Sequence, residues 1–226
     1  MTGKDLLSKI LSDISDNSLF TDFKLRKRDN CLFYQKNGFR KEITFEHWFD
    51  RNSGELVIYP TYGIKYDILL NWFSKYNFKS KQDQRDNYSF GFEGIMFGLK
   101  SSHYHFDLNC NNYPSDFANF QKEILACANW VFTNYATLSL AYKNEVEPIL
   151  LDKKELPDIG IEWAFIDLTL CKIVAPQNYE EFKKIVLARI EFLHKRNEPN
   201  LAFYYDKLDE ILSYMEGLSI DNLSKL

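Results

Sequence analysis

The stretch CLFYQKNGFRKEITFEHWF, residues 31–49, decides the fold of the N-terminal half of the chain. The dipeptide Asn37-Gly38 divides it into two runs with many aromatic residues. Asn-Gly is favoured in a two-residue type I′ turn, because both central residues of that turn have positive φ. Along the second run, alternate residues fall on opposite faces: Ile43, Phe45, His47 and Phe49 on one, and Glu42, Thr44, Glu46 and Trp48 on the other. The stretch therefore predicts a β-hairpin, which is part of an antiparallel sheet.

Three more segments have strand character: ELVIYPTYGIKY (55–66), YSFGFEGIMF (88–97) and HYHFDL (103–108). Pro60 within the first of them predicts an edge position or a bulge, because proline cannot donate to a strand ladder. An amphipathic helix precedes the hairpin, with Thr2 as its cap and Asp5 in its first turn. Residues 1–112 therefore predict an α+β domain, an antiparallel sheet of about five strands with helices on one face.

The second half of the chain, residues 113–226, predicts a helical region. It either forms its own domain or packs on the sheet within one continuous domain. Its apolar periodicity predicts a long helix over residues 114–147. The apolar run 161–175 fits either a buried helix or a buried strand, and its length favours the helix.

Two further helices are predicted near the C-terminus. Asn178 and Glu181 have the spacing of a capping box and should begin a helix that runs to about Arg196. Pro199 should begin the last helix, which ends at Gly217, a residue typical of the C′ position. The short connection between the two helices predicts an αα-hairpin.

The composition limits the classes of function that the chain can have. Hydrophobic residues make up 45% and aromatic residues 16% of its 226 residues, which is too much packing material for a disordered protein. The chain has 28 basic and 32 acidic residues, a net charge of −4, which disfavours a general affinity for nucleic acid.

Cysteine spacing and the lack of targeting signals predict a cytoplasmic protein. The 4 cysteines are scattered, so neither a zinc ribbon nor a redox motif is present. Charges occur throughout the N-terminal segment, which argues against a signal peptide. Charges also interrupt the most apolar window, residues 159–175, which argues against a membrane span. The sequence contains no phosphate-binding glycine loop, dinucleotide fingerprint or nucleophile elbow. We therefore predict no cofactor, and a binding protein is favoured over an enzyme.

The segment HYHFDLNC, residues 103–110, raises the question of a metal or acid–base site. Alternate side chains of a strand share a face, so His103, His105 and Asp107 should point the same way. Two imidazoles at this spacing suit zinc or iron, and Asp107 would be a third ligand or would orient one ring. The alternative is the solvated face of a half-buried strand, which the lack of further ligands in the sequence favours.

Residues 24–42 carry seven basic residues and two acidic ones. Aromatic residues lie among them, and this combination is typical of sheets that stack single-stranded bases. The candidate nucleic-acid contacts are Lys24, Arg26, Lys27, Arg28, Tyr34 and Lys36. The alternative is a solvated hairpin edge, on which lysine and arginine prevent the addition of further strands.

The segment 145–162 has the opposite charge, with six carboxylates and two lysines. The candidate binding residues are Glu145, Glu147, Asp152, Glu155, Asp158 and Glu162. As a docking surface, the segment would suit a basic protein such as a nuclease, since charge complementarity raises association rates and gives specificity. The alternative is a solvated connector.

Residues 1–75 resemble small bacterial α+β proteins of uncharacterised function, some of which are encoded beside polymorphic toxins as immunity proteins. The resemblance consists of the N-terminal helix and three segments: FKLR (23–26), LFYQKNGF (32–39) and GELVIYPTYGI (54–64). It implies a cytoplasmic, non-catalytic protein that binds and blocks a toxin, and it assigns no functional residue.

Three functions follow from the sequence, in decreasing order of support. The first is a protein-binding protein of the toxin-inhibitor type, favoured by the missing catalytic motifs and by aromatic residues suited to interfaces. The second is a metal-dependent hydrolase centred on His103, His105 and Asp107. The third is a single-stranded nucleic-acid binder that uses the basic hairpin.

Overall fold

The computed structural model describes residues 1–77, 79–81, 84, 87–98, 103–156, 161–196 and 201–219. Within them, six strands form one antiparallel sheet: β1 (Lys24–Arg26), β2 (Cys31–Lys36), β3 (Phe39–Asp50), β4 (Glu55–Tyr66), β5 (Phe90–Glu93) and β6 (Tyr104–Asp107). The same residues contain nine α-helices: α1 (Gly3–Ser15), α2 (Asp67–Leu70), α3 (Tyr113–Asn134), α4 (Leu138–Glu145), α5 (Glu147–Leu150), α6 (Ile161–Val174), α7 (Tyr179–Lys195), α8 (Ala202–Tyr205) and α9 (Leu208–Gly217). The predicted α+β class, an antiparallel sheet followed by a helical C-terminal half, is confirmed.

The chain groups into two compact units. Unit 1 comprises Met1–Lys65 and Phe90–Thr133, and unit 2 comprises Tyr66–Ser89 and Asn134–Leu226. Each unit draws on both sides of residue 112, where the sequence suggests a boundary. Unit 1 holds the sheet, α1 and nearly all of α3, and unit 2 holds α2 and the helices from α4 to α9.

The hairpin of β2 and β3 forms as the sequence predicts. Lys36 pairs with Phe39, and the turn between them consists of Asn37 and Gly38. These two residues have φ values of 50° and 74°, as a type I′ turn requires. A purely local signal, two residues long, therefore sets the register of the two strands.

β4 lies inside the sheet and organises its remaining strands. It neighbours β3, pairs with β6 over Glu55–Ile58, and pairs with β5 over Thr61–Ile64. The edge position predicted from Pro60 is therefore wrong. Pro60 lies between the two paired stretches, where neither β5 nor β6 pairs with β4, so its missing N–H interrupts neither ladder.

The predicted capping of α1 is confirmed. The Thr2 hydroxyl accepts a hydrogen bond from the backbone N–H of Asp5 at 3.2 Å, and the Asp5 carboxylate accepts one from the backbone N–H of Thr2 at 3.3 Å. The helix contacts α3, since the hydroxyl of Tyr113 donates to the Asp13 carboxylate at 2.6 Å. Its buried residues follow the helical period: Leu6, Leu7, Ile10, Leu11 and Ile14.

α3 covers one face of the sheet through Phe120, which is fully buried. The Phe120 ring centroid lies 4.9 Å from that of Tyr104 and 5.5 Å from that of Phe106, both in β6. It also lies 6.2 Å from the ring of Phe45 in β3. Residues at alternate positions of these strands, such as Trp48, point to the opposite face.

The apolar run 161–175 forms a helix, α6, as its length favours. Residues 164–171 are all buried, so the helix is surrounded by protein on every side, and this explains why its sequence has no polar stripe. Phe165 is fully buried, with its ring 6.4 Å from that of Trp72 and 5.2 Å from that of Phe73.

The helix predicted over residues 114–147 is divided into α3, α4 and α5, so its predicted continuity is wrong. α3 ends at Asn134, and Thr137 is the N-cap of α4. The Thr137 hydroxyl accepts a hydrogen bond from the backbone N–H of Leu140 at 3.2 Å. Threonine favours such caps over helix interiors because its hydroxyl satisfies a free N–H at the start of a helix.

The ends of the last helices also differ from the sequence prediction. Asn178 begins α7 without a side-chain cap, so the predicted capping box is wrong. The amide nitrogen of Asn178 donates to the Tyr142 hydroxyl at 2.8 Å. The predicted last helix is two helices, α8 and α9, and Gly217 is the final residue of α9 rather than its C′ residue. The predicted start at Pro199 lies outside the described residues.

Lys172 of α6 binds the C-terminal end of α9. Its ammonium donates hydrogen bonds to the backbone oxygens of Met215, Glu216 and Leu218, at 2.7, 2.8 and 3.0 Å. Burial lowers the pKa of Lys172, and the negative charge of Glu216 acts in the opposite direction. The lysine thus places a positive charge at the negative end of a helix dipole.

Lys172→Met is expected to lower the free energy of unfolding by about 1.5 kcal/mol, because it keeps the aliphatic chain and removes the charged donor. Urea denaturation followed by circular dichroism measures the change. The matched control is Lys184→Met on the exposed side of α7, which should change stability by less than about 0.5 kcal/mol. Equal losses in the two variants would contradict the capping role of Lys172.

Candidate functional site

β6 has the alternation of side chains that its sequence predicts. Tyr104 pairs with Ile58 and His105 with Val57 of β4. Tyr104 contacts the buried Phe120 of α3, whereas His105 is exposed. The histidines therefore belong to the face of the sheet that α3 does not cover.

His103 forms an aromatic cluster with Trp48 of β3 and Tyr59 of β4. Its ring centroid lies 5.3 Å from that of Trp48 and 5.0 Å from that of Tyr59. His103 is exposed, Tyr59 is half-buried, and Trp48 is 46% exposed. An exposed tryptophan places a large apolar surface in contact with water. Covering the cluster with a partner protein would therefore be favourable in free energy.

Carboxylates border the aromatic cluster. Glu46 is exposed and stands two residues before Trp48 on β3, so the two side chains share a face. A Glu55 carboxylate oxygen lies 2.9 Å from Nδ1 of His105, as a diagonal cross-strand pair. The sheet-face surface is defined by Glu46, Trp48, Glu55, Tyr59 and His103.

The three residues of the predicted metal site have separate partners. His103 contacts aromatic rings and His105 contacts a carboxylate. Asp107 closes a turn, since its carboxylate accepts hydrogen bonds from the backbone N–H of Asn109 at 2.8 Å and from the side-chain amide of Asn111 at 2.9 Å. In the part of the chain that the structure describes, no group of three or more His, Cys, Asp or Glu side chains is arranged to hold a metal ion.

Part of the basic hairpin is engaged in contacts within the fold. Nε of Arg26 lies 2.6 Å from the Asp29 carboxylate, and its guanidinium lies 5.2 Å from the Phe33 ring centroid. Nε of Arg40 lies 3.2 Å from the carboxylate of the buried Glu42. Of the other predicted nucleic-acid contacts, four are exposed and the aromatic one is half-buried: Lys24, Lys27, Arg28 and Lys36, and Tyr34.

Two carboxylates of the predicted acidic surface bind groups within unit 2. Glu145 accepts hydrogen bonds from the Tyr135 hydroxyl and from the Lys154 ammonium, the latter at 2.7 Å. Glu162 likewise accepts from a tyrosine hydroxyl and a lysine ammonium, at 2.7 and 2.9 Å. Three of the remaining residues are exposed, and one lies outside the described residues: Glu147, Asp152 and Glu155, and Asp158.

Sequence reasoning missed a buried carboxylate next to this acidic segment. Asp167 is 7% exposed and lies within the fully buried stretch of α6. Burial raises the pKa of Asp167 well above its ordinary value, the Glu145 carboxylate raises it further, and Lys154 lowers it. The signal in the sequence was an aspartate in the middle of the apolar run 161–175.

A groove with a volume of about 710 Å³ is lined by α7 and by residues 149–156, all in unit 2. Its apolar lining consists of Ile149, Leu156, Ile185, Ala188 and Phe192. Its charged lining consists of Asp152, Lys153, Lys154, Glu155 and Arg189. Phe192 is 47% exposed, and the guanidinium groups of Arg189 and Arg196 lie 5.0 and 5.6 Å from its ring centroid.

All four cysteines are free thiols. Cys31, Cys127 and Cys171 are buried, and Cys110 is half-buried. Burial raises the pKa of Cys31 and of Cys171 to about 12, and it also raises the pKa of Cys127. The thiolate is the nucleophilic form of cysteine, so these three buried thiols are chemically unreactive.

The chain was compared with protein families, curated proteins and solved structures. No protein-family model, no curated protein and no solved structure matches the chain. Among the described residues, no helix combines the length and the apolar character needed to cross a membrane.

Proposed function

We propose that this chain is a non-catalytic, intracellular protein that binds a partner protein through the sheet-face surface, as an inhibitor of the toxin-neutralising type. The observation that carries the proposal is the exposed cluster of Trp48, His103 and Tyr59 with its border of carboxylates. The resemblance of residues 1–75 to immunity-type proteins implies the same role. The four free thiols are in keeping with a reducing compartment.

Binding energy in protein interfaces comes mostly from a few large side chains, among which tryptophan and tyrosine are enriched. Trp48 already presents its indole to solvent. Its ring contacts His103, which in turn contacts Tyr59, so the three rings support one another on adjacent strands. Such a preformed surface loses little side-chain entropy on binding.

We infer that the partner is basic. Glu46 and Glu55 flank the rings, and the face of an indole attracts cations. Carboxylates and aromatic faces together favour lysine and arginine side chains, which a nuclease toxin would present. The sheet-face surface takes the place of the segment 145–162 in this proposal, because it combines carboxylates with exposed aromatic rings, whereas the segment contains no aromatic residue.

Trp48→Ala is expected to weaken binding of the partner about tenfold, because it removes the exposed indole of the aromatic cluster. The tagged protein first captures its stoichiometric partner from lysate, mass spectrometry identifies it, and calorimetry measures its dissociation constant for each variant. The matched control is Trp130→Ala, since Trp130 is also in unit 1 and is 43% exposed. The control should change affinity less than about twofold.

Three results would each contradict the proposal. The first is a wild-type protein that is always recovered without a stoichiometric partner. The second is a partner that is acidic, or whose affinity is insensitive to salt, since opposite charges at an exposed surface are screened by ions. The third is an equal loss of affinity in the Trp48→Ala and Trp130→Ala variants.

A further inference from the structure

We propose that the amine of Lys41 is a modification site, which accepts the acyl group of a small acyl phosphate. Lys41 belongs to β3 and pairs with Tyr34 of β2. Its ammonium lies 5.5 Å from the ring centroid of Phe132 in α3 and 5.8 Å from that of Phe39. Lys41 and Trp48 are an odd number of positions apart on β3, so this site and the sheet-face surface lie on opposite faces. The inference therefore stands apart from the proposed protein-binding function.

The aromatic rings around Lys41 enclose its side chain without neutralising its charge. Lys41 is half-buried, and no carboxylate among the residues that the structure describes acts on its ammonium. Burial lowers the pKa of Lys41, because the ammonium loses part of its hydration. At a given pH, a larger fraction of this amine is therefore unprotonated than of an ordinary lysine. The unprotonated amine is the form that attacks an acyl group.

Two other lysines show what distinguishes Lys41. Burial also lowers the pKa of Lys172, but its ammonium donates hydrogen bonds to three backbone oxygens. Lys195 is exposed, and its hydrogen bond to the Glu191 carboxylate raises its pKa. Both of these ammonium groups are held by oxygen acceptors, which favour the protonated form. Of the three, only Lys41 has a lowered pKa without a hydrogen-bond acceptor in the described part of the chain.

A second lysine favours an acyl donor that is an anion. Lys36 pairs with Phe39 across the hairpin, whereas Tyr34 pairs with Lys41. Lys36 and Lys41 are therefore diagonal neighbours on the same face of the two strands. Lys36 is exposed, so its ammonium is available to attract the phosphate group of the donor as a point charge.

The proposed reaction is an acyl transfer. The unprotonated Nζ of Lys41 attacks the carbonyl carbon of the acyl phosphate, and an amide C–N bond forms. The bond between this carbon and the phosphate oxygen breaks, and phosphate leaves with the electron pair. The proton that the amine loses passes through water to the phosphate, so the products are the acylated lysine and inorganic phosphate.

Acetyl phosphate is the probe for this reaction. The full chain is incubated with acetyl phosphate at about pH 8, and mass spectrometry of its peptides measures the rate of acetylation at each lysine. Lys41 is expected to react at least about fivefold faster than the exposed Lys184. In guanidinium chloride this difference should disappear, because unfolding ends the burial of Lys41.

Lys36→Gln is expected to slow the reaction of Lys41 with acetyl phosphate about threefold and to leave its reaction with the uncharged p-nitrophenyl acetate unchanged. The matched control is Lys24→Gln, since Lys24 is exposed on β1 and pairs with Phe33, which places it on the opposite face. The control should change neither rate by more than about 1.5-fold. The proposal is overturned if Lys41 reacts no faster than Lys184, or if the unfolded chain keeps the preference. It is also overturned if Lys24→Gln and Lys36→Gln slow the reaction equally.

Discussion

Replacing Asp167 with asparagine is expected to raise the free energy of unfolding at pH 7 by about 2 kcal/mol, because a neutral amide avoids the cost of keeping a charge in a buried position. The wild-type carboxyl group is 7% exposed on an apolar helix, close enough to Glu145 for the two carboxylates to repel each other. Asparagine has nearly the same shape and never ionises, so it avoids both the desolvation of a charge and this repulsion.

The gain in stability should depend on pH with a definite sign. Burial and Glu145 raise the pKa of Asp167 in the folded protein above its unfolded value. The folded state therefore holds the proton more tightly, and the contribution of this group to stability is complete below about pH 4. It is lost as the pH rises through the raised pKa. The difference between the Asp167→Asn variant and wild type should accordingly grow from about pH 4 upward and then level off.

Urea denaturation across this pH range measures both effects. Asp209→Asn is the matched control, because Asp209 also belongs to a helix of unit 2 but is exposed. The stability of the Asp209→Asn variant should stay within about 1 kcal/mol of that of wild type. Its dependence on pH should run parallel to that of wild type. If the Asp167→Asn variant is less stable than wild type at every pH, the carboxyl group has favourable partners in the folded protein, which would contradict a destabilising buried charge.

Phe120→Ala is expected to lower the free energy of unfolding by about 4 kcal/mol, the largest effect that we predict. Phe120 is fully buried and touches rings from two strands, Phe45 of β3 and Phe106 of β6. Alanine would remove these contacts and leave a cavity between α3 and the sheet that the strands cannot close without breaking their register.

Chemical denaturation of the Phe120→Ala variant measures this loss, and Phe203→Ala gives the comparison. Phe203 has the same side chain but is 42% exposed, so its removal should cost less than about 1 kcal/mol. A loss for Phe120→Ala no larger than that for Phe203→Ala would show that α3 is not anchored to the sheet through this ring.

Features specified by neighbouring residues could be predicted from the sequence. The Asn37-Gly38 turn depends on two residues whose backbone preference matches the type I′ geometry. The capping box is formed by Thr2 and Asp5, which stand only three positions apart in the sequence. The helical state of α6 followed from the length of its apolar run. In each case, the deciding interaction lies within one turn or one segment.

Features that depend on distant parts of the chain could not be predicted. Trp48 and His103 are 55 positions apart in the sequence, and only the pairing of β6 with β4 brings the rings together. Asn178 had a local signal for a cap, but its amide instead binds the Tyr142 hydroxyl, 36 positions earlier. Counting charges along the segment 145–162 treats Glu145 as an available negative charge. In the fold, its carboxylate binds Tyr135 and Lys154.

The positions of the four thiols make the chain easy to tag at a single point. Three of them are buried with raised pKa values, so a maleimide dye added at neutral pH should attach at Cys110. Cys110 follows β6 by three residues, on the turn that begins at Asp107. A fluorophore there would sit near the end of the strand that carries the histidines. Partner association could then be followed by fluorescence without altering any other cysteine.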